Sequence, residues 1–447
     1  MRVPKAPPLL PKLLEETPAK RLAVVVEQSR LTDDEGRYLH FDDMLHRKPP
    51  GGLSHEEWWL ANKLARAAQA RSLPLVSATT APFSFCETPE MRAQMHALDS
   101  ETRGQIKSRE QLPSRETADF YFVRSLIEEP FSSSVLEGAA TTRRIAKEMI
   151  EGDRAPRTMG ERMVLNNYRA MQSVREMKDR PLTPEAILSL HAILTEGTLD
   201  DPAHVGRLRT DRDRVVVEDQ TTGEVLHEPP PAAELVERLQ QVCDFANGAN
   251  DDANFIHPIV RAMVLHFMIG FDHPFVDGNG RTARALFYWS ALRSGYWLLE
   301  FASISKVIRE APTRYGLAYL HAETDRGDLT YFLIYHLEVL AKAVRSLRAY
   351  LERKTVELKQ LDRLMRARVG PRRQFNERQV HVLQEAIRRP GHHLTIDDQK
   401  DRTGVSYLTA RADLEGLVKL GLLRKGRSGS RSVYFADGKI VEKLGGG

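Results

Sequence analysis

The chain has 447 residues and a formal net charge of +4, with 41% hydrophobic and 28% charged residues. This composition is typical of a folded soluble protein, and the length predicts two or three domains. The small net charge gives no general argument for nucleic-acid binding, so local clusters of basic residues must carry any such case.

The number of cysteines and the length of the apolar runs indicate the cellular compartment of the protein. The two cysteines, Cys86 and Cys243, are too few for a disulfide framework and lie among apolar or aromatic neighbours. We interpret them as core thiols in a reducing compartment. The sequence shows neither a signal-peptide pattern at its start nor an apolar run of about 18 residues, the length that a membrane span needs. We therefore expect a cytoplasmic protein without a membrane partner.

Residues 1–112 form an N-terminal extension in which one helix stands out, from Ser54 to Arg71. Ser54 is a suitable N-cap and Glu57 follows three residues later, the spacing of a capping box. An apolar stripe that begins at Trp58 continues at helical spacing. A folded extension is expected here.

Residues 113–340 read as a helical domain that one segment interrupts, Arg207 to Pro231. A β-branched run comes first in this segment, a turn follows from Gln220 to Gly223, and a second short run ends at His227. Two such runs around a turn predict a β-hairpin inside the helical domain. The first run consists of Val215, Val216 and Val217.

A phosphate site is predicted at residues 273–284, His-Pro-Phe-Val-Asp-Gly-Asn-Gly-Arg-Thr-Ala-Arg. This segment lies between an apolar helix and another helix that begins near Asn279. The N-terminus of a helix presents free N–H groups and a positive dipole end, which attract anions. Gly278 and Gly280 add no side-chain bulk, so a phosphate can approach the backbone. The amide of Asn279 can add a donor.

Four side chains of the same segment suit nucleotide chemistry. Arg281 and Arg284 are three residues apart at the helix start and can both reach one ligand, and guanidinium groups bind phosphate in a bidentate fork. Asp277 offers a hard oxygen that suits Mg²⁺ bridging phosphates. His273 can act as a general base near neutral pH. A base, a metal carboxylate, an anion cradle and two arginines together predict chemistry at the phosphates of a nucleotide.

The segment resembles the signature of the Fic family, His-x-Phe-x-(Asp/Glu)-Gly-Asn-Gly-Arg-x-x-Arg, at every fixed position. The resemblance implies a mainly α fold, a Fic helical bundle with a β-hairpin flap. It also implies transfer of AMP from ATP to a Ser, Thr or Tyr hydroxyl of a target protein. By the same resemblance, His273 deprotonates that hydroxyl and Asp277 holds Mg²⁺, while Phe275 anchors the loop. The implied phosphate ligands are Gly278, Asn279, Gly280, Arg281 and Arg284, with Arg284 on the terminal phosphate.

A second motif of the family is similar to Ser133-x-x-x-Glu137-Gly138, placed in a predicted inhibitory helix around residues 131–150. Ser133 and Glu137 are four residues apart and share one helix face. The resemblance implies that Glu137 pairs with Arg284 and blocks the productive pose of ATP. A carboxylate in a phosphate site also repels the substrate. In some family members this Glu supports removal of AMP, so a bifunctional writer and eraser stays open.

The hairpin lies where the family has a flap beside the active site. A strand edge can pair with an extended target segment and hold its hydroxyl near His273, with Val215, Val216 and Val217 as the pairing strand. Tyr315 lies where the family tends to place an aromatic side chain that contacts the nucleotide. The family often has an Asn a few residues later, but this chain reads Leu-His-Ala-Glu-Thr-Asp over residues 320–325.

The C-terminal region is predicted to be a charged linker helix over residues 341–371 and a small domain over residues 372–444. Its order of helices and a final hairpin resembles a winged helix-turn-helix, in which a recognition helix opens near Ser406. Such a domain binds DNA or a protein partner. The basic residues that would contact DNA phosphates are Arg411, Arg424, Lys425, Arg427 and Arg431.

Two classes of function therefore compete. The first is an autoinhibited AMP-transferase whose C-terminal domain selects a partner, acting with ATP and Mg²⁺ as a monomer or a homodimer. The second is a DNA-binding regulator whose Fic-like core senses a nucleotide. Label transfer that depends on His273 would separate an enzyme from a sensor.

Overall fold

A computed structural model of the chain describes residues 2–103, 126–151, 154–219, 222–248, 255–367, 375–388, 393–428, 431–437 and 440–445. These residues fall into two compact units. One contains the described residues up to 345, and the other contains those from 346 onward. The domain boundaries predicted near residues 112 and 371 lie outside the described residues.

The first 103 residues form four helices, a two-stranded sheet and a fifth helix. The Ser54 hydroxyl accepts from the Glu57 amide and the Glu57 side chain accepts from the Ser54 amide, which confirms the predicted capping box. The two strands pair antiparallel with an irregularity in the register. The elements are α1 (Leu10–Glu16), α2 (Ala19–Glu27), α3 (Phe41–Met44), α4 (His55–Ala67), β1 (Arg71–Val76), β2 (Pro82–Phe85) and α5 (Pro89–Thr102).

The helical domain follows, and its central pair of helices is apolar along most of its length. Thirteen residues of α11 (Pro258–Asp272) and thirteen of α12 (Asn279–Arg293) are buried, so the loop between these helices is held by the core on both sides. The helices are α6 (Glu128–Leu136), α7 (Arg143–Glu151), α8 (Met159–Met177), α9 (Pro184–Thr195), α10 (Leu235–Ala246), α11 (Pro258–Asp272), α12 (Asn279–Arg293), α13 (Ile304–Glu310) and α14 (Pro312–Thr324).

The inhibitory helix predicted over 131–150 is two helices in the structure. Helix α6 ends at Leu136, Glu137 is its C-cap, and Gly138 adopts φ +89°, a left-handed conformation that a helix interior does not accept. The next helix, α7, starts at Arg143 after a turn in which the Thr142 hydroxyl accepts from the Ile145 amide.

The predicted hairpin is present but its strands are shorter than expected. Strand β3 (Val217–Glu218) pairs antiparallel with β4 (Val225–His227), with Val217 opposite His227. Val215 and Val216 lie before the strand, in backbone without regular structure. Two residues of the predicted turn, Gln220 and Thr221, lie outside the described residues.

Buried polar contacts join the first 103 residues to the segment between α14 and α15 (Thr330–Ala367). The Tyr38 hydroxyl donates to Asp328 Oδ2 at 2.7 Å. Lys63 Nζ lies 2.9 Å from Asp325 Oδ1, and Arg66 Nη1 donates to the Tyr331 hydroxyl at 3.0 Å. Residues 341–367 of the predicted linker helix lie in the later part of α15, and residues 368–371 lie outside the described residues.

The C-terminal unit beyond α15 has the predicted order of helices and hairpin, with an additional short strand before its second helix. That strand, β5 (Leu394–Thr395), joins the hairpin of β6 (Leu423–Ser428) and β7 (Arg431–Ala436) to make an antiparallel sheet in the order β5-β7-β6. Gly404 ends the second helix at φ +66°. The elements are α16 (Glu377–Arg388), β5 (Leu394–Thr395), α17 (Ile396–Thr403), α18 (Tyr407–Lys419), β6 (Leu423–Ser428), β7 (Arg431–Ala436) and α19 (Ile440–Gly445).

None of the helices in the described ranges combines the length and the apolar character that crossing a bilayer requires.

Candidate active site

The loop between α11 and α12 borders a cavity of about 450 Å³. Its lining includes the side chains of His273, Glu137, Arg284, Tyr315 and Tyr319 together with the glycines of the loop. The structure thus places the predicted base, the predicted brake and four predicted phosphate ligands at one cavity, namely Gly278, Asn279, Gly280 and Arg284. Val217 of the hairpin also lines it.

His273 is the C-cap of α11 and adopts a left-handed backbone with φ 45° and ψ 56°. Its ring Nδ1 lies 3.0 Å from the Gly270 carbonyl oxygen. A carbonyl only accepts hydrogen bonds, so Nδ1 carries the proton and the neutral ring has its lone pair on Nε2. Burial, together with the nearby charges of His227 and Arg209, lowers the pKa of His273 although Glu137 acts to raise it. An unprotonated Nε2 at neutral pH suits a general base.

Helix α12 begins directly after Gly278, which adopts φ +85°. A Cβ at Gly278 would come 2.8 Å from Thr195 Cγ2, so a larger residue would not fit. A Cβ at Gly280 would meet the Glu137 carboxylate and the Arg284 guanidinium. Gly280 therefore lines the cavity at the first turn of α12 without a side chain, and the N-terminus of a helix is where an anion binds best.

The Arg284 guanidinium is 1% exposed and faces α6. It donates to Glu137 Oε1 at 2.7 Å, to the Ser133 hydroxyl at 2.9 Å and to the Ser133 carbonyl at 3.2 Å. Burial acts to lower the pKa of Arg284, but the Glu137 carboxylate outweighs it and the pKa is raised. In Glu137 the signs are reversed. Burial acts to raise the pKa of Glu137, but the charge and hydrogen bond of Arg284 outweigh it and the pKa is lowered. Both groups are charged at neutral pH.

Helix α6 is itself anchored at its first turn. The Glu129 carboxylate, 4% exposed, accepts from the Ser303 hydroxyl at 2.8 Å and from the Ser305 amide at 3.0 Å. Those two donors lie at the start of α13, where the helix dipole favours a negative charge. Glu137 is thus held at Arg284 by a helix that is fixed at its other end.

The side chains of two predicted phosphate ligands, Asn279 and Arg281, form hydrogen bonds to the loop and to α9. The Asn279 amide is buried and closes a ring with Phe275, accepting from its N–H at 3.0 Å and donating to its carbonyl at 2.8 Å. Arg281 donates to the Leu194 carbonyl at 3.1 Å and to Asp277 Oδ2 at 3.3 Å. Within the described ranges, Arg281 is not among the residues that line the cavity. The backbone N–H groups of both residues belong to the first turn of α12.

Asp277 lies at the cavity rim with a side chain that is 56% exposed. Its Oδ1 accepts from the Gly278 amide at 2.5 Å, and Oδ2 faces Arg281. A single exposed carboxylate fits Mg²⁺, which takes one or two protein carboxylates and fills its other positions with waters and phosphates. In the described residues there is no cluster of three or more His, Cys, Asp or Glu side chains that could hold a metal ion.

Tyr315 lies on α14 at the back of the cavity, and its hydroxyl is 2.9 Å from His266 Nε2. Burial raises the pKa of Tyr315 although the adjacent Arg284 charge lowers it, so the hydroxyl remains protonated. Its place beside Arg284 agrees with contact to a nucleotide, which stays a prediction.

Two positioning residues were not predicted from the sequence. His191 stacks on Phe275 with ring centroids 3.7 Å apart, accepts from the Gly206 amide through Nδ1 and therefore donates from Nε2 to the Asp277 carbonyl at 2.9 Å. Burial lowers the pKa of His191 to about 4, which keeps this tautomer neutral.

Arg209 is the second. Its Nε donates to the His273 carbonyl at 2.8 Å, its Nη2 to the Asp272 carbonyl at 3.3 Å, and its backbone N–H to the Pro274 carbonyl. A guanidinium at the last carbonyls of a helix complements the dipole and holds the strained turn at His273. His191 and Arg209 lie more than 60 residues before His273 in the sequence. No periodic sequence pattern links either residue to the motif, so neither could be predicted to contact it.

The predicted DNA-contacting residues of the C-terminal unit are placed as follows. Arg411 Nε and Lys425 Nζ each lie 3.0 Å from Glu415 Oε1, and Arg424 Nε lies 2.8 Å from Asp437 Oδ2. Arg427 is exposed on β6, and Arg431 begins β7. The acidic partners offset part of the positive charge of this surface.

Comparisons with known proteins find one family over the candidate site. A sequence profile described as the Fic/DOC family matches residues 181–291. Protein adenylyltransferase fic-1 of Caenorhabditis briggsae is 38% identical over 97 residues, 22% of this chain and 17% of that protein. Protein adenylyltransferase Fic of Nematostella vectensis is 27% identical over 172 residues, 37% of this chain and 37% of that protein. The matched part of this chain thus spans well under half of those relatives.

A solved structure is also similar. The crystal structure of a Fic family protein from Desulfovibrio desulfuricans G20 has a TM-score of 0.49 and 21% sequence identity, over 79% of this chain and 97% of that chain.

Proposed function

Because residues 181–291 form a domain of the Fic family, we propose that this protein transfers AMP from ATP to a Ser, Thr or Tyr hydroxyl of a target protein. The observation that carries the proposal is the place of His273, whose proton-accepting Nε2 belongs to the same cavity as the start of α12. The relatives from Caenorhabditis briggsae and Nematostella vectensis, which match part of this chain, are both named protein adenylyltransferases.

The chemistry follows from the two ends of the loop. His273 Nε2 takes the proton of the target hydroxyl, and the hydroxyl oxygen forms a bond to the α-phosphorus of ATP. The bond from that phosphorus to the bridging oxygen breaks, and pyrophosphate leaves. The N–H groups at the start of α12 stabilise the charge on the transferring phosphate. Mg²⁺, when bound at Asp277, would neutralise charge on the polyphosphate.

Arg284 is the ligand we assign to the terminal phosphate of ATP. Its guanidinium is buried at the cavity, and the carboxylate of Glu137 now takes the place that a phosphate oxygen would occupy. We therefore propose that Glu137 inhibits the enzyme by holding Arg284. Binding of ATP in the productive pose requires this ion pair to break.

The donor test follows from the bonds that change. Protein incubated with Mg²⁺ and ATP labelled at the α-phosphate should become labelled, whereas ATP labelled at the γ-phosphate should leave it unlabelled. The Glu137→Gly form, which lacks the proposed brake, gives the larger signal. Label from the γ-phosphate would overturn AMP transfer. Binding of ATP without any label would instead favour a nucleotide sensor, and release of AMP from premodified protein would add an eraser activity.

For the C-terminal unit we propose partner recognition by a winged helix-turn-helix, with DNA as the first partner to test. Its helix order and its β5-β7-β6 sheet support this assignment. The full protein is expected to shift duplex DNA at roughly 50 mM salt and much less at 200 mM, since phosphate contacts release counterions. The double variant Arg411→Ala, Lys425→Ala should lower the affinity for all sequences alike.

The matched control for that experiment is Arg180→Ala, which removes a basic residue of the helical domain. Unchanged DNA mobility in the double variant would contradict DNA binding by this surface. It would leave a protein as the partner of the unit.

A further inference from the structure

Strand β4 of the flap ends in a buried histidine that bonds through both ring nitrogens. His227 Nε2 lies 2.7 Å from the Phe271 carbonyl oxygen, and Nδ1 lies 2.7 Å from Glu323 Oε2. The ring is 8% exposed. His227 also lies opposite Val217 in the hairpin, so its side chain anchors the strand pair that borders the cavity.

The two acceptors determine the protonation of the ring. A carbonyl oxygen only accepts, and an ionised carboxylate only accepts, whereas a neutral imidazole has a single N–H. Both hydrogen bonds therefore form together only in the imidazolium, paired with the ionised Glu323. Burial acts to lower the pKa of His227, but the Glu323 bond and charge, the Phe271 carbonyl and the Asp272 charge outweigh it, and the pKa is raised.

We propose that His227 is a positioning residue, an imidazolium that fastens the flap to both walls of the active site. One bond reaches the end of α11, two residues before His273, and the other reaches α14, which carries Tyr315 and Tyr319. This inference rests on the proposed AMP transfer, because a fixed flap matters only if a target hydroxyl must be held beside the base.

The charge of His227 has a second effect on the site. It lies among Glu323 on α14, Asp272 and His273 at the end of α11, and Arg209 on the segment that leads to the flap. A positive charge at this point disfavours a second one on His273, so it helps to keep the base unprotonated.

The expected pH dependence follows from these directions. The folded-state pKa of His227 is raised above its unfolded value, so its contribution is complete below the unfolded value of about 6.5 and is lost as pH rises through the folded-state pKa. Flap anchoring, and with it the alkaline side of the activity profile, should decline there. The acidic side reports protonation of His273.

The test compares His227→Gln and Glu323→Gln with the control His46→Gln, an exposed histidine, all in the Glu137→Gly background. Auto-AMPylation is measured from pH 5.5 to 9.5, since pH profiles report the pKa values of essential groups. His227→Gln should lower the rate of label transfer about tenfold and leave the KM for ATP within about twofold. It should also move the acidic limb of the pH–rate profile to higher pH, because the positive charge beside His273 is removed. Glu323→Gln should move the alkaline limb to lower pH. A uniform loss with unmoved limbs would overturn the proposal and indicate a purely structural role.

A second measurement does not depend on activity. Nitrogen-15 spectra of histidine-labelled protein identify His227 by the signal that His227→Gln removes. Both ring nitrogens should be protonated at pH 7, and a neutral ring would overturn the proposal. If the proposed AMP transfer is wrong but the inference on His227 is right, the Glu137→Gly parent will take up no label while the spectrum still reports an imidazolium.

Discussion

Replacing Glu137 with glycine is expected to raise auto-AMPylation roughly 10- to 100-fold, because a charged hydrogen bond contributes about 1.5–3 kcal/mol and each 1.36 kcal/mol is a tenfold change in rate. The glycine form removes the 2.7 Å contact and leaves Arg284 its two bonds to Ser133. The guanidinium thus stays oriented and becomes available to a phosphate. Initial rates of label incorporation at saturating ATP give the measurement.

The matched control is Glu196→Gly. Glu196 is the C-cap of α9, as Glu137 is the C-cap of α6, but its side chain is 69% exposed and its ion-pair partner among the described residues is Arg169, at 3.5 Å. It tests what a glycine at a helix C-cap does by itself. Equal rates in Glu137→Gly and the unaltered protein would contradict the brake, and a matching increase in Glu196→Gly would attribute it to helix fraying.

Loss of the His273 imidazole is expected to have the largest effect in the molecule. In the Glu137→Gly background, His273→Ala should lower label transfer by about 10²- to 10⁴-fold, the usual contribution of a general base. ATP binding should persist, because the proposed phosphate ligands are the start of α12 and Arg284. Calorimetric titration with ATP and Mg²⁺ separates binding from chemistry.

The backbone at this position requires a second variant. His273 has φ 45°, and alanine in the left-handed region adds strain, whereas asparagine tolerates that region. His273→Asn should therefore fold as the parent does and lose activity equally. Retained label transfer in the asparagine form would exclude His273 as the base. A loss confined to the alanine form would attribute its defect to the backbone.

The sequence was most informative where the site is contiguous. The motif from His273 to Arg284 depends on neighbours in the chain, so its loop, its glycines and the following helix could be predicted from local rules. The side chains were harder. Asn279 and Arg281 have groups that suit phosphate, yet both side chains bond to buried carbonyls, because Phe275 in the loop and Leu194 at the end of α9 have carbonyl oxygens that need donors.

Contacts between distant segments show the same limit. The Glu137–Arg284 pair came from a family resemblance, since spacing within α6 says only which face Glu137 shares. No periodic pattern relates His191, Arg209 or His227 to the motif. They reach it because α9, the flap and α11 pack together, which is a tertiary property. Helix ends were predicted well where a cap marks them, as at Ser54.

The polar contacts between residues 2–103 and the segment that follows α14 limit how far this protein can be shortened. Asp325 and Asp328 are 3% and 6% exposed, and their described partners include Lys63 and Tyr38. A chain that began just before α6 would lose those partners and open both carboxylates to water, so the contacts that hold the end of α14 would be lost. The helices of the proposed active site thus depend on residues far upstream of them, and shortening the protein from its N-terminus is expected to weaken the site together with the extension.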